Sequence, residues 1–124
     1  MPRATANTQE VEHIELKSLP DGFIDARRLT YGEKLERRAM VSKMKFASDR
    51  KDKDFAGEMN LVNEVATLFD FQRCIVDHNL EDEEGVKLNL GRADVIRSLD
   101  PRVGEEIDTK LSELNNWDED DEGN

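Results

Sequence analysis

The chain has 124 residues, 29 Asp/Glu against 18 Lys/Arg and a formal net charge of -11, and at roughly 100–200 residues per domain that length predicts a single domain around one core. Its hydrophobic share of 36% and charged share of 38% depart from the usual ~45–50% and ~25%, which implies a small core under a densely charged surface. No apolar run nears the roughly 18 residues of a membrane span, the first residues lack the apolar stretch of a secretory signal, and the one cysteine builds neither a disulfide framework nor a Cys-based zinc site, so the expectation is a soluble intracellular protein with no membrane partner.

In chain order, residues 1–10 are polar and aperiodic, the pattern of a flexible terminus. Val11–Leu16 alternates weakly, and Phe23–Ala26 is a second short run. Between them Pro20-Asp21-Gly22 is turn chemistry: Pro presets φ at the second turn position and Gly accepts a positive φ. The pattern predicts a small β-hairpin. Thr30-Tyr31-Gly32-Glu33 matches a capping box, in which Thr accepts from the amide three residues on and Glu reaches back. A helix is predicted to follow to about residue 47, with Tyr31, Leu35, Ala39, Met40, Met44 and Ala47 as its apolar stripe. The stretch 27–53 around it is basic, with ten Lys/Arg against four Asp/Glu.

A second helix is predicted over about 55–78. Phe55, Val62, Phe69 and Val76 recur every seven residues, with Leu61, Leu68 and Ile75 beside them. Together they form an apolar face broader than a coiled-coil seam. Glu81–Gly85 reads as an acidic turn and Val86–Leu90 as a short strand. Ala93–Leu99 fits two helical turns. Asp100-Pro101 then supplies an N-cap and a first-position proline. Val103, Ile107, Leu111 and Leu114 predict an amphipathic helix over about 101–116. Every residue from Asp118 to Glu122 is acidic, and such a run repels itself and is expected to be a disordered tail.

Candidate chemistry is sparse. Asp77-His78-Asn79-Leu80-Glu81-Asp82 has metal-ligand types, but as a calcium loop it lacks Gly at its sixth position and Glu at its twelfth. The ordinary reading is a helix C-terminus, with His78 complementing the dipole and Asn79 as the cap. Cys74, between Phe71 and Ile75 on the predicted helix, reads as a buried structural thiol. No Gly-x-Ser-x-Gly elbow and no Gly-rich phosphate loop occurs. Acid pairs such as Glu105/Glu106 would need an enclosing pocket to act as acid and base. No catalytic residue, cofactor site or metal site is therefore assigned, and the chain is not expected to be an enzyme. An acidic chain is a poor generic nucleic-acid binder, and Tyr31 and Phe46 are too few for a base-stacking platform. The basic stretch reads instead as a solvated face that pairs with the acidic half, or as a protein-docking surface. For Trp117 two readings stay open: it closes the edge of the core, or it anchors a partner.

Three stretches carry a family resemblance: Phe23–Glu33 running into its capped helix, Phe71-Gln72-Arg73-Cys74-Ile75-Val76-Asp77-His78-Asn79-Leu80-Glu81-Asp82 with its acidic-Gly turn, and Leu99-Asp100-Pro101-Arg102-Val103-Gly104-Glu105-Glu106-Ile107. Together they resemble the tail assembly chaperones of long-tailed (siphovirus-like) bacteriophages over roughly residues 11–117. The resemblance implies a protein that binds the tape-measure protein, keeps it soluble, helps recruit tail-tube subunits and then leaves. It implies action in the cytoplasm of the infected bacterial host and absence from the mature virion. Such chaperones are often made in two lengths through a ribosomal frameshift. The family has no catalytic residues to carry over. A structural minor tail or connector protein and an acidic host-directed inhibitor are the competing readings.

The predicted fold is mainly α (α+β): a small helical domain over 11–117 with an N-terminal β-hairpin, a flexible segment 1–10 and a disordered acidic tail 118–124. The helix near 55–78 is its expected spine, with the helices near 31–47 and 101–116 packed against it. Phe55, Val62, Val65, Phe69, Val76, Leu35, Met44, Ile107 and Leu111 are the expected core. Candidate partner-binding residues are Arg37, Arg38, Met40, Met44, Met59 and Trp117, with the methionines as adaptable contacts.

Overall fold

The computed structural model describes residues 4–5, 9–49 and 55–115, with side chains described there except over 45–62. The tail 118–124 and Trp117 lie outside the described residues. Two short strands open the chain, β1 (Glu12–Glu15) and β2 (Phe23–Ala26), paired antiparallel from Glu15↔Phe23 to Glu12↔Ala26. The hairpin is the one the sequence predicts, but its turn distributes strain differently. Asp21, not Gly22, takes the left-handed conformation, at φ 66°. The Gly22 amide donates to the Leu19 carbonyl at 2.9 Å, so Leu19–Gly22 is a β-turn whose third position has positive φ. Gly22 is needed for space: a Cβ there would lie 2.9 Å from Leu19 Cδ2 and 3.1 Å from the Leu19 carbonyl oxygen.

Two helices follow, α1 (Tyr31–Asp49) and α2 (Phe55–Cys74), and they pack against each other. The expectation of one helix to residue 78 fails at Cys74. Ile75–His78 is instead a third strand, β3, antiparallel to β2 with Ile24↔His78 and Asp25↔Asp77 in register. The sheet order is β1-β2-β3. Central β2 carries Ile24 and Ala26, both fully buried, and buried backbone donors and acceptors on both its edges require partners. The β-branched pair Ile75-Val76 suits that task better than another helical turn. Tertiary pairing thus overrides the seven-residue repeat, and Val76, expected in the core, is 50% exposed.

The same change reassigns the residues expected at a helix C-terminus. His78 sits in β3, buried, and its Nδ1 accepts from the Leu80 amide at 3.0 Å. Asn79 extends the sheet rather than capping a helix. Its Oδ1 accepts from the Phe23 amide at 2.8 Å and its Nδ2 donates to the Asp21 carbonyl at 2.7 Å. The acidic turn is held by Asp82, whose Oδ1 accepts from the amides of Glu84 and Val86, with Gly85 at φ 81°. Val86–Leu90 is not a strand: only an isolated Glu81↔Lys87 bridge forms, and the segment returns through the Leu88 amide to the Leu80 carbonyl.

Helices α3 (Ala93–Arg97) and α4 (Pro101–Asn115) complete the fold. Asp100 caps α4 as expected, its carboxylate accepting from the Arg102 amide at 2.9 Å. Val103, Ile107 and Leu111 bury one face of α4. They join Leu16, Ile24, Ala26, Leu29, Phe69, Phe71, Cys74, Leu80, Leu90 and Ile96 in one cluster. Of the expected core, Phe69, Ile107 and Leu111 are buried, Val65 and Met44 are half-buried, and Leu35 is 45% exposed. The side chains of Phe55 and Val62 lie outside the described residues. Glu106 ties the far end of the hairpin to α4 by accepting from the amides of Lys17 and Ser18 at 2.7 and 2.8 Å. The arrangement is α+β, with helices dominating and the third strand at Ile75–His78 instead of Val86–Leu90. Among the described residues no helix is long and apolar enough to cross a membrane.

Candidate functional site

Helix α1 begins at the predicted capping box. The Glu33 amide donates to Thr30 Oγ1 at 3.2 Å, and the Thr30 amide donates to Glu33 Oε1 at 3.0 Å. Arg27 closes on the same carboxylate with two hydrogen bonds, of 2.8 and 2.9 Å. The Arg27 guanidinium, aided by the Thr30 amide and hydroxyl, holds the Glu33 carboxyl down to about 2 against the resistance of burial.

One turn on, Arg37 makes a bidentate pair with Asp70 of α2, at 2.9 and 3.1 Å. The Asp70 side chain is 2% exposed and that of Arg37 15%. Arg73 of α2 returns the contact, donating to Glu36 at 2.9 Å and lying over the Phe69 ring at 5.0 Å. One cation of the basic helix, Arg37, therefore pairs with an acid elsewhere in the fold, on its inner side. Arg37, a candidate partner contact, is part of that clamp.

The outer side of α1 is different. Tyr31, Leu35, Arg38 and Ser42 follow one another at intervals of four, three and four residues, which stacks them in one line. All are exposed, as is Ala39 beside them. Tyr31 is 68% and Leu35 45% exposed. Among the described residues, no strand or helix covers this line. The apolar residues lie at its N-terminal end with Arg38 beyond them, whereas Lys43 is turned about 140° from Arg38, toward the side that carries Met40. Met40, 40% exposed, points away from the line, on the opposite side of the helix. Met44 is half-buried toward the inner side. The side chain of Met59 and all of Trp117 lie outside the described residues.

The sequence reading misses this face because it merges two. At about 100° per residue, Tyr31, Leu35 and Ala39 point roughly opposite to Met40 and Met44, so they cannot share one buried stripe. The inner stripe runs through Arg37, Val41 and Met44, and a charged residue at its centre hides it from a hydrophobicity count. Only a buried carboxylate on α2, Asp70, makes that position intelligible.

The remaining clefts are open and shallow. One of about 250 Å³ lies between β3 and residues 87–91 and includes Asp77, His78 and Lys87. Burial holds the His78 imidazole below its ordinary pKa. With Nδ1 accepting from Leu80, the ring is neutral and engaged. A second, of about 400 Å³, is lined by β1, Arg28 and the end of α4. Cys74 is fully buried, as its position among apolar residues predicts. Burial pushes its thiol up to about 11, and its Sγ accepts from Asn115 Nδ2 at 3.6 Å. Among the described residues no group of three or more His, Cys, Asp or Glu side chains is placed to hold a metal ion. Compared with known proteins, the chain matches no family model, no curated protein and no solved structure.

Proposed function

We propose that this chain is a tail assembly chaperone of a long-tailed bacteriophage that binds the tape-measure protein. It keeps that protein soluble in the cytoplasm of the infected host, helps recruit tail-tube subunits and is absent from the mature virion. The observation that supports this reading is the outer line of α1. Two of the large apolar side chains exposed among the described residues, Tyr31 and Leu35, lie one turn apart on that line, with Arg38 a turn further on. Clustered exposed apolar groups beside charge fit a contact surface better than a solvated one. The inner side of α1 is fastened by ion pairs, so the outer residues are held on a rigid element. Such a line fits an amphipathic client helix with acids along its border. The net charge of -11 suits a protein that must keep a large apolar client dispersed.

The direct test is co-expression with the tape-measure protein. The client should appear in the soluble fraction with the wild-type chain and shift to the pellet with the double variant Leu35→Asp/Arg38→Glu. Equal client solubility with and without the wild-type chain would sink the proposal. Mass spectrometry of purified particles separates a chaperone from a retained connector, since the chain should be missing from them.

A further inference from the structure

β1 lies at the edge of the sheet, and among the described residues no strand pairs with its outer side. Its inner side is used. The Leu16 amide donates to the Gly22 carbonyl at 2.9 Å. Bonding alternates along an antiparallel pair, so Ile14 and Glu12 also turn their backbone groups toward β2, opposite Ile24 and Ala26. His13, Glu15 and Lys17 therefore turn theirs outward. Lys17 has an acceptor there, the Glu106 carboxylate of α4, at 2.7 Å. No described residue bonds the outward amides and carbonyls of His13 and Glu15.

The cleft of about 400 Å³ runs along this edge. All four residues of β1 line it, and since successive side chains point to opposite faces, one cleft meets all four only at the strand's edge. Its far wall is Arg28 and the end of α4. Ile14 and Leu114, both packed against the core, give it an apolar floor. The free charge is mostly negative. Among the described residues Glu12 and Glu15 pair with no cation, and neither does Glu10 just before the strand, whereas Lys110 is already turned to Glu113 at 3.9 Å. Against these three acids stands one cation outside an ion pair, Arg28.

We propose that β1 accepts an extended basic segment of a partner protein as a fourth strand of the sheet. The segment's backbone bonds the outward groups of His13 and Glu15, as Glu106 already does for Lys17. Its side chains alternate between the two faces. An apolar residue opposite Ile14 enters the cleft beside Leu114, and lysines or arginines stand opposite Glu15 and Glu12. In antiparallel addition the order is cation, apolar residue, any residue, cation. A second copy of β1 fits poorly, because it brings the same unpaired acids to the same edge. This docking uses no residue of the α1 line and holds whatever that line binds.

The probe is a synthetic peptide, acetyl-Thr-Lys-Val-Thr-Lys-Thr-amide, added to the isotope-labelled full-length chain, with amide hydrogen exchange read by nuclear magnetic resonance. In the free protein the His13 and Glu15 amides should exchange as open groups while those of Ile14 and Leu16 are protected. The peptide should protect His13 and Glu15. Methylating the two peptide nitrogens that face β1 should abolish this protection, and so should replacing both lysines with glutamates. Glu12→Lys/Glu15→Lys should lose the basic peptide and take up the acidic one. His13→Pro removes one outward amide and leaves the bonds to β2 in place, so it should lose binding while circular dichroism shows the fold retained. The methylated peptide makes the same test without altering the protein. Absence of protection by the basic peptide would overturn the proposal, and equal binding of the methylated peptide would reduce the contact to charge alone. Protection of His13 and Glu15 in the free chain would also overturn it, placing a second copy on the edge if it vanished on dilution and the chain's own residues there if it persisted.

Discussion

Replacing Arg37 with Met removes a guanidinium and keeps most of its aliphatic length. The consequence falls on Asp70. Its carboxylate is 2% exposed, receives two bonds from Arg37 and sits one turn before the C-terminus of α2, the end of a helix dipole that disfavours an anion. A buried pair broken from one side costs about 3–5 kcal/mol, because the remaining charge stays buried and uncompensated. Arg37 retains 15% exposure, so water relieves part of the penalty, and about 3 kcal/mol is the expected loss. Asp70→Asn should cost less, about 1–2 kcal/mol, since a neutral amide can keep one bond and the freed guanidinium reaches solvent. The double variant Arg37→Met/Asp70→Leu should recover much of the loss, because two apolar groups replace the pair without stranding either charge.

Urea unfolding followed by circular dichroism measures these proteins, and Asp70→Leu alone closes the cycle with Arg37→Met and the double variant to give the coupling. The reasoning fails if Arg37→Met costs under about 1 kcal/mol, the range of a surface pair. It also fails if the double variant is no better than the worse single one, which would mean the pair positions α1 rather than satisfies Asp70.

The other predictions concern the cap, the thiol and the turn. Glu33 has its carboxyl lowered from 4.5 to about 2 in the fold, so its contribution is complete above the unfolded value and is lost as pH falls from about 4.5 toward 2. Glu33→Gln, which keeps the capping box but not the ion pair with Arg27, should flatten the acid limb of a pH–stability curve and cost about 1–2 kcal/mol near neutrality; an unchanged acid limb would refute the assignment. Cys74, with its thiol up at about 11 and no exposed surface, should resist alkylation at pH 8 in the folded protein and react at once in urea, and equal rates in both conditions would contradict its burial. Asp21 holds φ 66°, so Asp21→Gly should be tolerated whereas Asp21→Val should cost about 1–2 kcal/mol for the left-handed backbone; equal melting temperatures for the two would mean the turn rearranges.

The elements that the sequence predicts correctly are those with a local cause. The capping box needs only Thr30 and Glu33, the α4 start needs Asp100 and Pro101, and the hairpin needs a turn tripeptide between two short runs. What local reasoning misplaces depends on partners distant in the chain. The boundary at Cys74 is set by the second edge of β2, fifty residues earlier, and a periodic pattern over 55–76 carries no information about that edge. Asn79 looks like a helix cap because its type suits one. Its actual role depends on the position of Phe23 and Asp21, which only the folded sheet supplies.

The candidate site follows the same division, with a different cause of failure. Arg37 and Arg38 are indistinguishable by composition, yet one is clamped to Asp70 and the other faces outward. Helical angle alone separates them: Arg38 falls in line with Tyr31 and Leu35, while Arg37 falls in line with Val41 and Met44. Counting charges over 27–53 gives a basic patch, whereas following the angle divides those charges into a structural set and an outward set. The outward set on that line is small: among the described residues Arg38 is its exposed cation, and Lys43, five residues on, is turned about 140° from it. A charge count over 27–53 therefore overstates the positive charge that any one face of α1 presents, because neighbouring cations such as Arg37 and Arg38 leave the helix about 100° apart.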